Sequence, residues 1–254
     1  MPNQLRFMPA ALLTTHIMIE DETVPVRIRH NPRARRFILR LDHKTGDVVV
    51  TSPTKKGMKE ALSFAERERA WIADKRRALP KPVLFEPGAE FPFRGHQTTL
   101  RHDAEKRRTA RHLPEDGTLW IGGDPAFFAR RTQDFLKKEA RTDLISAVSD
   151  FTRRMERPLP KVTVRDTSSR WGSCSTSGAL SFSWRLVLAP AEILTYVAAH
   201  ECAHLEHHNH SEAFWRQVAD LDPNYKRAEA WLAREGSDLF RYGGKAPPTE
   251  APTL

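Results

Sequence analysis

His200-Glu-Cys-Ala-His-Leu-Glu-His-His-Asn-His210 is the stretch on which the reading of this 254-residue chain turns. It holds H-E-x-x-H, with His200 and His204 around Glu201, and a further histidine six positions on. On a helix, residues four apart lie above one another on one face, so both imidazoles can reach one metal ion. Glu201, next to the first ligand, comes close enough to a metal-bound water to take its proton. A third ligand from the same helix fails on distance. His207 or His208 would stand roughly 10–12 Å along the axis from His200 at about 1.5 Å rise per residue, against a zinc–nitrogen bond of about 2.0–2.1 Å. The chain must therefore turn and return, and Asn209, a residue that tolerates the left-handed conformation, stands just before His210. Three histidine ligands leave one coordination position for water, the layout of a catalytic zinc site.

A bare H-E-x-x-H arises by chance in a few per cent of chains of this composition, so its surroundings matter. Pro190 starts a helix with an acid, Glu192, in its first turn, and Ile193, Val197 and Ala203 give it a mostly buried character. Upstream, Pro160 to Arg165 reads as a strand. After it come Ser169-Arg-Trp-Gly-Ser-Cys-Ser, a turn at Ser175–Gly178, and a second strand over Ala179–Leu188 with Leu180, Phe182 and Trp184 on one face. This hairpin leads directly into the metal helix. Its exposed edge would hold an extended peptide by strand addition.

Further out, the first third is β-rich, with strands expected around residues 16–20, 24–29, 37–42 and 48–51 and a turn at Lys44-Thr-Gly-Asp. A helix follows from Pro53 to Leu79, ended by Pro80 and Pro82. Short strands return over 83–122, and a long helix is expected over about 125–157, in one or two pieces. The fold class is α+β: a β-rich N-terminal region over 1–122 with one helix, a second domain over 123–242 that carries the hairpin and the H-E-x-x-H helix, and a disordered Pro-rich tail over 243–254. No internal repeat is visible.

The net charge of +9 is uneven. Residues 1–160 hold 31 Lys/Arg against 21 Asp/Glu, and residues 161–254 hold 10 against 11. Two dense basic runs, Arg27–Arg40 and Arg101–His112, are either a solvated face or a surface for nucleic acid or an acidic partner. No window approaches a membrane span, and the start lacks a signal-peptide core. Two cysteines, Cys174 and Cys202, cannot build a disulfide framework, which suits the cytoplasm.

With hairpin and metal helix both in view, the chain resembles the YgjP-like metallopeptidases. The resemblance rests on Arg33-Ala-Arg-Arg-Phe-Ile-Leu-Arg40, Val48-Val-Val-Thr-Ser-Pro53, Arg170-Trp-Gly-Ser-Cys174, Trp184-Arg-Leu-Val-Leu-Ala-Pro190, the H-E-x-x-H and Asn209-His-Ser-Glu-Ala-Phe-Trp215. It implies a zincin fold, His200, His204 and His210 as ligands of one Zn2+, and Glu201 as general base. Ser183 departs from the Asn usual before Trp-Arg-Leu, which puts substrate contacts at that position in question. The ligand spacing is also similar to that of SprT-type proteases acting on DNA–protein crosslinks. That similarity raises an alternative: a DNA-associated protease whose basic N-terminal half, through Arg33, Arg35, Arg36, Arg107 and Arg108, holds nucleic acid. A zinc scaffold without turnover and an amidase acting on a non-protein substrate are further rivals.

In the expected mechanism Glu201 takes a proton from the attacking water and passes it to the leaving amine. The developing oxyanion needs a stabiliser besides the metal, and Arg170, Tyr196 and Tyr225 are the candidates, each with a structural role as its alternative. His207 and His208 are either donors to the ligands or solvated. Glu206 and Glu212 are available to hydrogen-bond a ligand imidazole. Cys174 is either a thiol near the metal or a structural one, and Cys202 a small packed residue. Phe214 and Trp215 are expected to clamp the turn that carries His210.

Overall fold

The structure, a computed structural model, describes residues 13–42, 45–106, 109–167 and 170–244. Lys44, Arg107, Arg108, Ser169, most of the expected tail and the first twelve residues lie outside the described residues. The chain forms two compact units, residues 1–80 and 81–254.

In the first unit, four strands form a sheet in the order β1-β2-β4-β3: β1 (Leu13–Ile19), β2 (Glu22–His30), β3 (Ile38–Leu41) and β4 (Val48–Ser52). β2 and β4 run parallel, and the other pairs antiparallel. Alternation does the sorting: Val24, Val26, Ile28, Val48 and Val50 are buried with Ala61, Ala65 and Ile72 of the following helices. The helix expected from Pro53 is two, α1 (Met58–Arg67) and α2 (Arg69–Arg77), broken at Glu68.

The second unit begins well before the expected boundary at 122. Its first sheet, β5 (Glu90–Phe93), β6 (His96–Asp103), β7 (Ala110–Leu113) and β8 (Thr118–Gly122), has the order β5-β6-β8-β7. Phe91, Phe93, Leu100, Leu119 and Ile121 share one core with the helix that carries the H-E-x-x-H motif and with α3 (Phe128–Arg154). Hydrophobic burial therefore assigns these strands to the C-terminal unit. The order and strand directions repeat those of the first sheet, and a helix follows each. α3 is a single piece, and the Asp124 carboxylate caps the turn before it by accepting the Ala126 N–H at 2.9 Å.

The last sheet, in the order β10-β11-β9, comprises β9 (Val162–Arg165), β10 (Gly172–Cys174) and β11 (Leu180–Ser183). The second hairpin strand, expected to run to Leu188, stops at Ser183, and Trp184–Leu188 form a 3-10 turn. All five side chains of this turn, Trp184 to Leu188, are buried. The Arg185 guanidinium bonds the Asp166 carboxylate and the Tyr242 carbonyl (3.1 Å) and stacks on Trp184 at 4.4 Å. The Trp184 indole N–H donates to the same Asp166 at 3.1 Å. Breaking a buried pair costs roughly 3–5 kcal/mol. Because the Asp166 side chain is 40% exposed, Asp166→Ala is expected to cost about 2–3 kcal/mol. Urea unfolding measures it, and a loss below about 0.5 kcal/mol, the range of an ordinary surface substitution, contradicts it.

The β5–β6 turn braces this segment. Arg94 and Gly95 have φ of 50° and 80°, and their N–H groups donate to the carbonyls of Val187 (2.7 Å) and Leu188 (3.2 Å). The Arg94 guanidinium grips Asp143 (2.8 Å) and Glu139 (2.9 Å) on α3. From Pro190 the chain enters α4 (Ala191–Ala203), followed by α5 (Glu212–Leu221) and α6 (Tyr225–Glu235). Among the described residues no helix is long and apolar enough to cross a membrane.

Candidate metal centre

α4 ends inside the motif. Ala203 is its last residue, His204 caps it, and the His207 N–H closes onto the Ala203 carbonyl at 2.9 Å. The chain then reverses and starts α5, where the Ser211 hydroxyl accepts the Phe214 N–H at 3.5 Å. His210 sits on this return, as the helix-rise argument requires. Asn209 does not take the left-handed conformation expected of it, since the only non-glycine residues with positive φ among those described are Glu20, Arg94 and Glu156.

The ligand atoms of His200, His204 and His210 lie within 4.8 Å of one another. The Nε2 atoms of His200 and His210 are 3.2 Å apart. A tetrahedral ion with bonds of about 2.0–2.1 Å sets its ligand nitrogens about 3.3–3.4 Å apart, so the donor set fits a metal of that kind. His204 Nδ1 donates to the His207 carbonyl at 2.8 Å, which leaves Nε2 as its ligand atom. A backbone carbonyl thus does what Glu206 and Glu212 were candidates for. Glu206 instead pairs with Arg157 at 3.0 Å, and Glu212 is exposed in the first turn of α5.

Phe214 is fully buried beneath the three imidazoles, with ring centroids 5.0, 4.5 and 4.7 Å from His200, His204 and His210. Trp215 flanks His200 and His210 at 5.9 and 5.8 Å and stacks on Tyr225. Tyr196 meets the His200 ring edge-on at 6.0 Å. Of the oxyanion candidates, Tyr196 therefore touches His200, and Tyr225 stacks on Trp215, which lies between it and the histidine rings. Arg170 is exposed ahead of β10, and its charge acts on Glu201. His208 is exposed at the rim.

Glu201 is 6% exposed. Burial pushes its carboxyl up from 4.5 to about 7, against the opposing pull of Arg170 and of a hydrogen bond from the Cys174 N–H. Burial, reinforced by His204 and His210, pulls His200 down to about 4, which keeps its ring in the neutral, ligating form. β10 is the edge strand of its sheet, and Gly172, Ser173 and Cys174 form one wall of a cleft of about 300 Å³ whose other lining is His200, Glu201, His204, His208 and His210. At Gly172 an added Cβ would lie 2.5 Å from both Cγ and Oε1 of Glu201. A glycine inside a strand is the one sequence sign of such a close approach, and it stood within the Trp-Gly-Ser-Cys stretch without being assigned that part.

Cys174 is not among the clustered ligand atoms, and Cys202 is fully buried as a packed side chain. Ser183 lies away from the cleft. It is buried, donates its N–H to the Trp171 carbonyl at 2.8 Å and accepts the Arg185 N–H on its hydroxyl at 3.4 Å. Capping is a task Ser and Asn perform equally well, so the departure noted at this position is structurally conservative.

A carboxyl that titrates at about 7 when folded and near 4.5 when unfolded has a raised folded value. Its contribution to stability is therefore present below 4.5 and lost as pH rises through 7. For metal-free protein at pH 8 this opposes folding by roughly 3 kcal/mol. Metal-free Glu201→Gln is expected to melt higher than metal-free wild type at pH 8, and the gap to narrow towards pH 5. Equal melting points at pH 8 would contradict the burial of this charge.

No curated protein matches the chain. Among solved structures, the metallopeptidase zymogen of Pyrococcus abyssi abylysin is similar at 26% identity, covering 40% of this chain and 96% of that one, with a TM-score of 0.33. A family model for the YgjP-like metallopeptidase domain matches residues 35–235, the greater part of the sequence, with His200, Glu201, His204 and His210 inside the match. The chain belongs to the YgjP-like metallopeptidase family.

Proposed function

We propose that this protein is a zinc-dependent endopeptidase of the cytoplasm, in which His200, His204 and His210 hold one Zn2+ and Glu201 is the general base. The observation that carries the reading is the convergence of three imidazoles within 4.8 Å beside a carboxylate on the same helix that is buried yet outside the ligand set. Zinc so held would polarise the scissile carbonyl and acidify the attacking water. The rest falls to the chain itself. Glu201, whose ordinary acidity burial has weakened, accepts the proton of the attacking water and returns it to the leaving nitrogen. The β10 edge takes the substrate backbone in extended form and brings it past Glu201 at the one residue without a side chain. Among the described residues the cleft lining has no second carboxylate and no lysine or arginine to hold a chain terminus, which favours cleavage within a chain.

Arg170 is assigned to charge balance as the oxyanion develops. Tyr196 and Tyr225 are assigned to holding the ligand rings in place. The free thiols of Cys174 and Cys202 suit a reducing compartment. Metal analysis together with casein or peptide cleavage for wild type and Glu201→Gln tests the proposal: one zinc per chain and activity that depends on Glu201 support it, and unchanged hydrolysis in the mutant overturns it.

A further inference from the structure

The solvent face of the second unit's first sheet carries chemistry the metal centre does not use. Across β6, β8 and β7 the register aligns Arg101 with Trp120 and Trp120 with Arg111. Leu100, Leu119 and Ile121, which alternate with them, are fully buried in the core that includes α3, so the Arg–Trp–Arg row faces outward. Trp120 is 38% exposed. A cavity of about 530 Å³ opens beside its ring, bounded by Asp103, Lys106, Thr109, Arg111, Leu113 and Asp116.

The first unit's sheet, with the same strand order, serves as an internal control. There Arg27 and Arg40 flank Val49 in the corresponding register. Val49 is buried, and Arg27 is consumed by Asp42 (3.2 Å) and Asp47 (2.6 Å). In the second sheet the centre is an exposed indole, and the guanidiniums of Arg101 and Arg111 make no hydrogen bond or ion pair among the described residues. Asp103, on the same strand as Arg101, is already occupied by the N–H groups of Glu105 and Lys106 (3.2 Å each) and by the Lys106 ammonium (3.4 Å). Residues 101–112 hold five Lys/Arg against two Asp/Glu.

We propose that this face binds single-stranded nucleic acid, with a base stacked on Trp120 and the flanking phosphates on Arg101 and Arg111. An exposed ring between two unpaired guanidiniums is the combination that single strands require, since every base offers a π-face and every link a phosphate. A duplex hides its base faces, and an acidic peptide has no use for the indole. The proposal is independent of the metal centre, because none of its residues lines the catalytic cleft.

Fluorescence anisotropy of labelled (dT)20 with the full-length protein tests it. Binding is expected at 50 mM salt, weakened at least tenfold by Trp120→Ala and largely kept by Trp120→Phe. Arg101→Gln with Arg111→Gln should reduce the slope of log K against log salt by about 1.4, at roughly 0.7 per lost phosphate contact on a single strand. Circular dichroism melting checks that the variants fold; should Trp120→Ala fail to, Trp120→Phe and the arginine salt slope still decide. Peptidase activity should be unchanged in all of them. No binding at 50 mM salt, binding indifferent to Trp120→Ala, a duplex bound as tightly as the single strand, or poly-glutamate bound equally well would each overturn the proposal.

Discussion

Glu201→Gln is expected to lower kcat on a peptide substrate about 10³-fold, within the range of roughly 10²–10⁴ that a positioned acid–base group supplies, while the protein keeps its zinc. The two effects separate because Glu201 lies outside the cluster of ligand atoms. The amide has the same shape and can still accept the Cys174 N–H, so cleft and ligands stay in place; the variant lacks only a proton acceptor. His210→Ala should show the converse pattern. It removes the exposed ligand of the three and should lose metal first, with activity following metal content. Zinc measured by plasma mass spectrometry beside kcat distinguishes the two. A Glu201→Gln protein that retains zinc and more than a tenth of wild-type kcat would place the base elsewhere.

What could be read from the chain followed from local geometry. Four-residue spacing set His200 and His204 on one helix face and pointed to His210 as the third candidate ligand, and the structure brings the three ring nitrogens within 4.8 Å of one another. The helix itself ends at Ala203, before His207 and His208. Alternating strands were legible for the same reason. Readings failed where long-range contacts override local preference. Residues 184–188 have the composition of a strand, but the buried Arg185 must reach Asp166 and Tyr242, and a turn alone allows it. The expected boundary at 122 misjudged which core β5–β8 fill, since a half-buried strand does not name the partner of its apolar face. The repeated strand order of the two sheets was equally hidden, because topology leaves no periodicity in the residues. Asn209 was assigned a left-handed turn from propensity alone, and the reversal is made by the helix end at Ala203 and the Ser211 cap.

Gly172→Ala is expected to damage the same chemistry from the opposite wall. Its φ is not positive, so the backbone tolerates a side chain; what forbids one is Glu201, whose Cγ and Oε1 would stand 2.5 Å from the new Cβ. That is far inside carbon contact distance, and neither partner is free to move: Gly172 is paired with Phe182 in the sheet, and Glu201 is buried on α4. Overpacking of this kind costs about 1–3 kcal/mol. Swinging the carboxylate off its line should cost kcat about 10²-fold, since a misplacement near 1 Å has that effect. The loss alone does not prove the mechanism, because any insult to β10 would reduce activity. The double mutant does. In a Glu201→Ala background the obstructing atoms are gone, and alanine in a strand is favoured over glycine by roughly 0.5–1 kcal/mol through the unfolded chain. Gly172→Ala should therefore change sign, destabilising wild type and stabilising Glu201→Ala, with a coupling of about 1.5–4 kcal/mol in urea unfolding. Equal destabilisation in both backgrounds would mean that Gly172 serves the strand and not the Glu201 carboxylate.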